Sequence, residues 1–361
     1  MKKQLKSQTR STIATYALVI GAFILVTVLD SVGLISNSLQ GQLVPICAYV
    51  CLAVSLNLVV GVSGELSLGH AGFMSVGAFT GVVAAGVLAH SGVESELLIF
   101  VIAAIIGAVA AGLIGFIIGI PVMRLRGDYL AIVTLAFGEI IKNILNIIYV
   151  GVDDAGLHFS TQDTASLGMQ QGTILINGPK GAVGIDKIST FVLGVILVLI
   201  TVAVVLNLIH SRSGRAIMAV RDNRIAAESV GINTTKYRLM AFTVASALAG
   251  AAGVLYAMNY STIVPSQFGF NQSILILVYV VLGGMGNVWG SIISAAFLTV
   301  LPEILRPINQ YRMLIYAVVL ILVMVVPHFA PFQRLIEKIK SRFRGGNNEV
   351  AAATEGGDGN E

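Results

Sequence analysis

Charged residues are scarce in this sequence, and cysteines are almost absent. Asp, Glu, Lys and Arg account for 11% of the 361 residues, whereas hydrophobic residues account for 56%. Because soluble domains carry roughly a quarter charged residues, most of this chain cannot face water. The two cysteines, Cys47 and Cys51, lie in one apolar segment, which excludes a disulfide framework and a cysteine-rich metal site. We interpret them as packing residues on one helical face.

Motifs for catalysis and for nucleotide binding are also missing. The chain lacks the pattern G-x-x-x-x-G-K-[ST], and its short glycine run at 283–286 lies in an apolar segment rather than between a strand and a helix. The net charge of +4 is spread over short loops, which argues against a nucleic-acid partner. We therefore expect a protein that is not an enzyme and that binds no metal or cofactor. The histidines are scattered rather than clustered: His70, His90, His158, His210 and His328.

Long apolar runs are what the chain has in abundance. A helix needs roughly 20 apolar residues to cross a hydrocarbon core of about 30 Å. We predict an all-α fold, a polytopic transmembrane bundle of about ten spans, the last three of them short. The first span follows a basic segment without a small-residue cleavage site, so we expect it to be retained. The predicted spans are 13–29, 43–60, 73–88, 97–123, 129–150, 189–210, 239–260, 273–285, 291–305 and 313–326.

Basic residues fall into four clusters, at 2–10, 124–126, 212–238 and 334–344. Lys and Arg in short loops are retained on the cytoplasmic side, and an even number of predicted spans separates these clusters. We therefore predict a multi-pass protein of the bacterial inner membrane with both termini in the cytoplasm. Arg306 and Arg312 fall on the outer side, so either they contact a partner there or one of the last short spans is re-entrant. The other outer loops are acidic or neutral, with Asp30, Glu94, Glu96, Asp153, Asp154 and Asp163.

Three regions follow from this pattern: a basic cytoplasmic N-terminus at 1–12, a transmembrane domain at 13–330 and a cytoplasmic tail at 331–361. From about residue 345 the tail has no aliphatic run, so we predict disorder there. The longest outer connection, 151–187, is polar and glycine-rich, too short for a domain and long for a plain turn.

Small residues recur every four positions in two spans. One span carries Gly77, Gly81 and Ala85, and the next carries Gly107, Ala111, Gly115 and Gly119. This spacing lets helix backbones approach closely in lipid. It predicts a tightly packed bundle.

Two groups of polar residues are candidates for a transport path. Residues 61–72 interrupt the apolar pattern with four glycines and with Glu65, Ser67 and His70. This segment is either a broken helix in protein-lined space or an ordinary interfacial loop. On the fifth span, polar residues share one helical face. A charge at mid-helix costs about 2.5–3.5 kcal/mol in lipid, so this face should turn away from lipid and form either a wall of the path or a contact between subunits. The polar residues are Glu139, Lys142, Asn143 and Asn146.

The loop at 213–232 predicts a short amphipathic cytoplasmic helix. Ile217, Val220 and Ala227 form its apolar face, and Arg224 and Glu228 are spaced as an i, i+4 pair. Gly231 is placed to end the helix, and Asn233 or Thr234 to cap the next span. A helix lying on the membrane surface is the alternative, but mixed charges and several alanines suit a protein groove better.

Five segments in this order resemble the LivM-type permease subunits of ABC importers for branched-chain amino acids. The segments are GVSGELSLGHAGF at 61–73, RLRGDYLAIVTLAFGEIIK at 124–142, NGPKG at 177–181, SGRAIMAVRDNRIAAESVGI at 213–232 and SILILVYVVLGGMGNVWGSIISA at 273–295. The resemblance implies that 213–232 is the coupling helix that seats in the ATP-binding subunit. The residues assigned to coupling are then Gly214, Arg215, Arg221, Asp222, Arg224, Ala227, Glu228 and Gly231.

The resemblance also implies the partners: a homologous second permease, two subunits that bind ATP and Mg²⁺, a periplasmic or lipid-anchored binding protein, and membrane lipid. Two departures affect the substrate, because Glu65 stands where the family usually has Gln, and 177–181 differs from the commoner Gly-Gly-Pro-Asn-Gly. Urea or short amides are the alternative substrates. An ion-coupled secondary transporter is the alternative of another class, with Glu65, Glu139 and Lys142 as its coupling residues.

Overall fold

The computed structural model describes residues 2–33, 36–125, 127–169, 172–306 and 311–325, and these residues are mostly helical. Each predicted span coincides with a helix, because a long apolar run in lipid must satisfy its backbone internally. The described helices are α1 (Lys2–Ser31), α2 (Asn37–Asn57), α3 (His70–His90), α4 (Glu96–Val122), α5 (Asp128–Ile147), α6 (Phe191–His210), α7 (Arg212–Asp222), α8 (Arg224–Ser229), α9 (Thr234–Ala257), α10 (Phe270–Gly283), α11 (Val288–Ile304) and α12 (Arg312–Val325).

Within the described part of the chain, seven helices are long and apolar enough to cross a membrane, namely α1 to α6 and α9. The crossing helix α2 continues through a π-helical turn, Leu58–Val62. Helices α10 and α11 are apolar but shorter, with 14 and 17 residues. The chain is thus a helical membrane protein of several spans, and the count of ten remains a prediction.

The described residues fall into two compact units, one within Met1–Glu303 and one within Ile304–Glu361. The second unit contains α12 in its described part. The predicted tail at 331–361 lies outside the described residues. All sites discussed below belong to the first unit.

Helices α3, α4 and α9 pack through their glycines. A Cβ added to Gly77 would lie 2.1 Å from the carbonyl oxygen of Gly250, and one added to Gly115 would lie 2.4 Å from Ser246 Oγ. A Cβ on Gly107 would meet a Val254 methyl at 2.5 Å. These approaches exclude larger side chains and confirm the predicted packing role of the four-residue spacing.

The two cysteines also lie at a contact between helices. Cys47 and Cys51 are buried free thiols in α2. A Cβ on Gly194 of α6 would lie 2.9 Å from Cys47 Cβ. The pair therefore fills a helix interface, as predicted.

The prediction of an all-α chain was wrong for the connection at 151–187, which contains strands. Strands β1 (Tyr149–Asp153), β2 (Gly156–Ser160) and β3 (Gly172–Asn177) form an antiparallel sheet in the order β2-β1-β3. Strands β4 (Ala182–Val183) and β5 (Thr262–Ile263) form a second pair. The apolar run of α5 continues into β1, so its periodicity hid the start of the strand.

A tight turn closes the β1–β2 hairpin. Asp153 pairs with Gly156, which has a φ of 125° that suits glycine. The Asp153 carboxylate accepts hydrogen bonds from the Ala155 amide and from His158 Nε2, each at 2.9 Å. Burial raises the pKa of the Asp153 carboxyl, but these bonds outweigh it and hold the pKa below its ordinary value.

Chain connectivity separates two ends of the bundle. Helix α6 runs from β4 toward α7, and α9 runs from α8 toward β5. We call the end with the strands the sheet end. The end with α7 and α8 is called the coupling end, and the two helices together are called the α7–α8 pair.

Candidate functional site

The segment predicted as one amphipathic helix is two helices. Ser211 Oγ accepts from the Gly214 amide at 3.0 Å and begins α7. Asn223 then takes an extended conformation, and its side chain accepts from the Ala226 amide at 3.0 Å, so it caps α8. An N-cap residue needs this extended backbone. Asn223 therefore breaks the predicted helix in the middle.

The predicted apolar face of the α7–α8 pair is present and is buried against the chain's own bundle. Ile217 is 0% exposed, Val220 5% and Ala227 4%. Gly214 also packs closely, since a Cβ there would lie 2.1 Å from the Leu208 carbonyl oxygen. The pair is thus fixed to the protein at its inner face.

The outer face of the α7–α8 pair, which points away from the bundle, carries two exposed apolar residues that the sequence analysis did not identify. Ile225 is 81% exposed and Val230 is 74% exposed. Helical geometry places Ile225 about 200° from the buried Ala227, so its exposure could have been read from the spacing. Exposed large apolar side chains mark a contact either with another protein or with a membrane surface.

Short-range bonds brace α8 against the start of α9. The predicted Arg224–Glu228 ion pair is present at 2.9 Å. Glu228 Oε1 also accepts from Thr234 Oγ1 at 3.0 Å. Gly231 ends α8 with a φ of 83°, and Asn233 rather than Thr234 caps α9, accepting from the Lys236 amide at 3.0 Å.

Arg221 reaches from the α7–α8 pair into the broken segment after α2. Its Nη1 donates to the Gly61 carbonyl oxygen at 3.0 Å, and its guanidinium also pairs with Asp222 at 2.9 Å. Its side chain lies over Gly64, where an added Cβ would be 2.6 Å from Arg221 Cγ. Gly64 has a φ of 75°. Both space and backbone conformation therefore require glycine at 64.

Protein encloses the first part of the broken segment. Residues 58–63 are buried. A Cβ on Gly61 would lie 2.1 Å from the Gly286 amide nitrogen, which donates to Asn57 Oδ1 at 2.8 Å. This enclosure agrees with a broken helix in protein-lined space, although Leu66 is 39% exposed. A role in transport stays a prediction.

Glu65 forms an ion pair with Arg238 of α9, and the two side chains are 15% and 5% exposed. Arg238 Nη1 also donates to the Met123 carbonyl oxygen, at the end of α4, at 2.9 Å. The pair thus ties the broken segment, α4 and α9 together. Removing one partner of a buried ion pair leaves an uncompensated charge. Glu65 therefore contributes to the stability of the fold, which its position in the sequence did not indicate.

The other two polar groups of this segment are buried. His70 Nε2 is 2.8 Å from Ser55 Oγ on α2, which joins the first turn of α3 to α2. Ser67 is 1% exposed, and its hydroxyl has no hydrogen-bond partner among the described residues.

On α5 the predicted polar face is divided. Glu139 pairs with Lys142, and Glu139 Oε1 accepts from the Phe270 amide at 2.9 Å, which caps α10. Asn143 is exposed and Asn146 half-buried. Polar groups exposed on a span face water or protein rather than lipid. This face therefore suits either a path wall or a contact with another subunit, the two alternatives of the sequence.

A bundle of helices that can cross a membrane, with a two-helix element at one end and polar groups along one span, defines a helical membrane protein of a kind that suits transport. The profile of one family, the branched-chain amino acid transport system / permease component, matches residues 38–324. The chain belongs to this family. The resemblance seen in the five sequence segments is confirmed.

Curated relatives agree with this assignment. The chain is 36% identical over 289 residues to the high-affinity branched-chain amino acid transport system permease protein LivM of Salmonella typhimurium, and equally to LivM of Escherichia coli K12. Each alignment covers 77% of this chain and 66% of the relative. The corresponding LivH of Salmonella typhimurium is 23% identical over 283 residues, covering 77% of this chain and 89% of LivH. No solved structure matches the chain.

Proposed function

We propose that this chain is the membrane-spanning permease subunit of an ATP-driven importer of branched-chain amino acids in a bacterial inner membrane. The names of the LivM and LivH relatives support both the substrate class and the role. Because the alignment spans about two thirds of the LivM length, 66%, the substrate is carried over as part of the proposal. Both termini lie in the cytoplasm, and the α7–α8 pair faces the cytoplasm with them.

A second, homologous permease is the expected neighbour of α5. LivM and LivH are both similar to this chain, as two related subunits would be. The exposed polar face of α5 needs water or protein beside it, and a path between two permeases supplies both. At the sheet end, the strands offer a surface for a substrate-binding protein.

Energy enters through the α7–α8 pair in this proposal. The single observation that carries it is the contact of Arg221 with Gly61 and Gly64. An ATPase subunit seats against Ile225 and Val230 on the outer face, and two such subunits serve the two permeases. Arg221 then passes a displacement of the pair to the segment at 58–65, which Glu65 joins to α4 and α9.

The test is uptake into proteoliposomes that contain the complete transporter. We expect uptake of leucine, isoleucine and valine when ATP is inside the compartment that the α7–α8 pair faces, and no change when the membrane potential is dissipated. Urea serves as the competing substrate. Uptake that follows an ion gradient without ATP would contradict the proposal, and transport of urea alone would overturn its substrate.

A further inference from the structure

A groove lies between α4 and α9 at the coupling end of the bundle. Its volume is about 550 Å³, within the roughly 300–1,000 Å³ typical of ligand pockets. It follows α9, which is long and apolar enough to cross a membrane, from the N-cap Asn233 to Val244. At about 1.5 Å per residue this length is about 16 Å, close to half of a hydrocarbon core of about 30 Å. The groove therefore has about the depth of one membrane leaflet.

The lining changes from polar to apolar along the groove. Asn233, Thr235 and Lys236 line its mouth, at the start of α9. Farther along, the hydroxyl oxygen of Thr243 is buried in the protein and adds no polar surface. The other lining residues are apolar, namely Phe116, Leu239, Met240 and Val244. The groove thus follows the polarity of a membrane leaflet, polar at its surface and apolar inside.

The surface around the groove is that of a helix facing lipid. Phe116 is 45% exposed, and its neighbours Leu113 and Ile117 on α4 are 58% and 65% exposed. Helices α4 and α9 meet at the floor of the groove, since a Cβ on Gly119 would lie 2.4 Å from Leu239 Cδ1. Apolar walls do not retain ordered water, which needs about two to four polar partners. An acyl chain is the apolar molecule that a membrane supplies to such a groove.

One positive charge stands at the mouth of the groove. Lys236 is exposed, and no carboxylate of the described residues lies within ion-pair distance of it. The Asn233 side chain accepts from the Lys236 amide at 3.0 Å, which holds this residue in the first turn of α9. The next basic residue, Arg238, is already paired with Glu65. The anionic cytoplasmic leaflet attracts lysines at its surface, and basic pockets between spans on that side bind anionic headgroups.

We infer that this groove binds one anionic phospholipid from the cytoplasmic leaflet. The lipid phosphate pairs with Lys236, and one acyl chain packs against Phe116, Met240 and Val244. The charge at the mouth selects an anionic headgroup over a zwitterionic one, and the apolar part selects a lipid over free phosphate. The inference rests on the proposed function for its orientation, in which the coupling end faces the cytoplasm.

The experiment titrates the purified complete transporter with phosphatidylglycerol, or with phosphatidylcholine of the same acyl chains, and measures bound lipid by native mass spectrometry. We expect phosphatidylglycerol to bind more tightly. Lys236→Gln should remove this preference by weakening phosphatidylglycerol binding roughly fivefold, which corresponds to about 1 kcal/mol for one lysine at a membrane surface. Lys187→Gln is the matched control, because Lys187 is exposed and lies outside the groove.

A second variant tests the apolar part of the groove. Val244→Trp fills the groove without changing its charge and should weaken the binding of both lipids. Ile200→Trp is its control, because Ile200 on α6 is 50% exposed and does not line the groove, and it should weaken neither. Thermal unfolding without added lipid checks that each variant is folded. Inorganic phosphate should not displace the bound lipid.

Four results would overturn the inference: equal affinity for the two lipids, an unchanged preference in Lys236→Gln, an equal loss in Lys187→Gln, or displacement by inorganic phosphate. Failure of the proposed function is distinct, because ATP-dependent leucine uptake would then be missing while lipid binding remained. Failure of the orientation is distinct too, since Lys236→Cys would then react with an impermeant thiol reagent from the outer side of the membrane.

Discussion

Replacing Arg221 with alanine should uncouple ATP hydrolysis from transport. The substitution removes the guanidinium bond to the Gly61 carbonyl and the packing over Gly64. A hydrogen bond from a charged group contributes about 1.5–3 kcal/mol. Because the Arg221 side chain is 39% exposed, solvent screening reduces this to about 1–2 kcal/mol. A change of that size alters an equilibrium roughly 5- to 30-fold.

The assay is the ratio of leucine taken up to ATP hydrolysed in proteoliposomes, and we expect it to fall within that range. Arg212→Ala is the matched control, because Arg212 is an exposed arginine at the start of α7 and is not among the residues assigned to coupling. An Arg221→Ala transporter with an unchanged ratio would refute the reasoning, and so would an equal fall in Arg212→Ala.

Three further predictions follow from contacts at the coupling end. Gly64→Ala should destabilise the protein by at least about 1–2 kcal/mol, because φ of Gly64 is 75° and Arg221 Cγ would lie 2.6 Å from the new Cβ. Thermal unfolding in detergent measures this loss of stability, and an unchanged unfolding midpoint would contradict the prediction. Ile225→Asp should abolish co-purification of the ATPase subunit while leaving that midpoint unchanged, since Ile225 is 81% exposed; retained co-purification would count against the docking surface. Glu65→Ala should lower the free energy of unfolding by about 3–5 kcal/mol, because it leaves the Arg238 charge buried without a partner. The double variant Glu65→Ala with Arg238→Leu should recover most of this stability, and a double variant no more stable than the single one would disprove the pairing.

The helices could be predicted from the sequence because lipid imposes a strict requirement. An apolar run such as 97–123 has no alternative to a helix, since backbone groups in hydrocarbon must bond within their own segment. The helix observed there, Glu96–Val122, begins one residue before the prediction and ends one residue before it. The glycine spacing was equally informative, because close packing in lipid depends on small residues.

Local competition between side chain and backbone was harder to predict. Asn223 interrupts the α7–α8 pair because its side chain bonds to a backbone amide and offers an alternative to the helix. Strand β1 was hidden because Tyr149 and Val150 continue the apolar run of α5. At this length, apolar residues do not distinguish a strand from the end of a helix.

The candidate site depends on contacts that are distant in sequence. Glu65 and Arg238 are 173 positions apart, Arg221 and Gly61 are 160 positions apart, and no local pattern links either pair. Arg221, which the resemblance assigns to coupling, contacts Gly61 and Gly64 within the chain. No local pattern indicated these contacts, and a contact of Arg221 with the ATPase subunit stays a prediction.

The central claim is that energy enters this bundle from a partner at the α7–α8 pair. The most direct measurement is leucine uptake by proteoliposomes assembled with and without the ATPase subunits, with a cross-link between a cysteine at position 225 and those subunits followed in parallel. The account predicts uptake and cross-linking when the ATPase subunits and ATP are both present, and no uptake when either is missing. Uptake by vesicles that lack the ATPase subunits would contradict it.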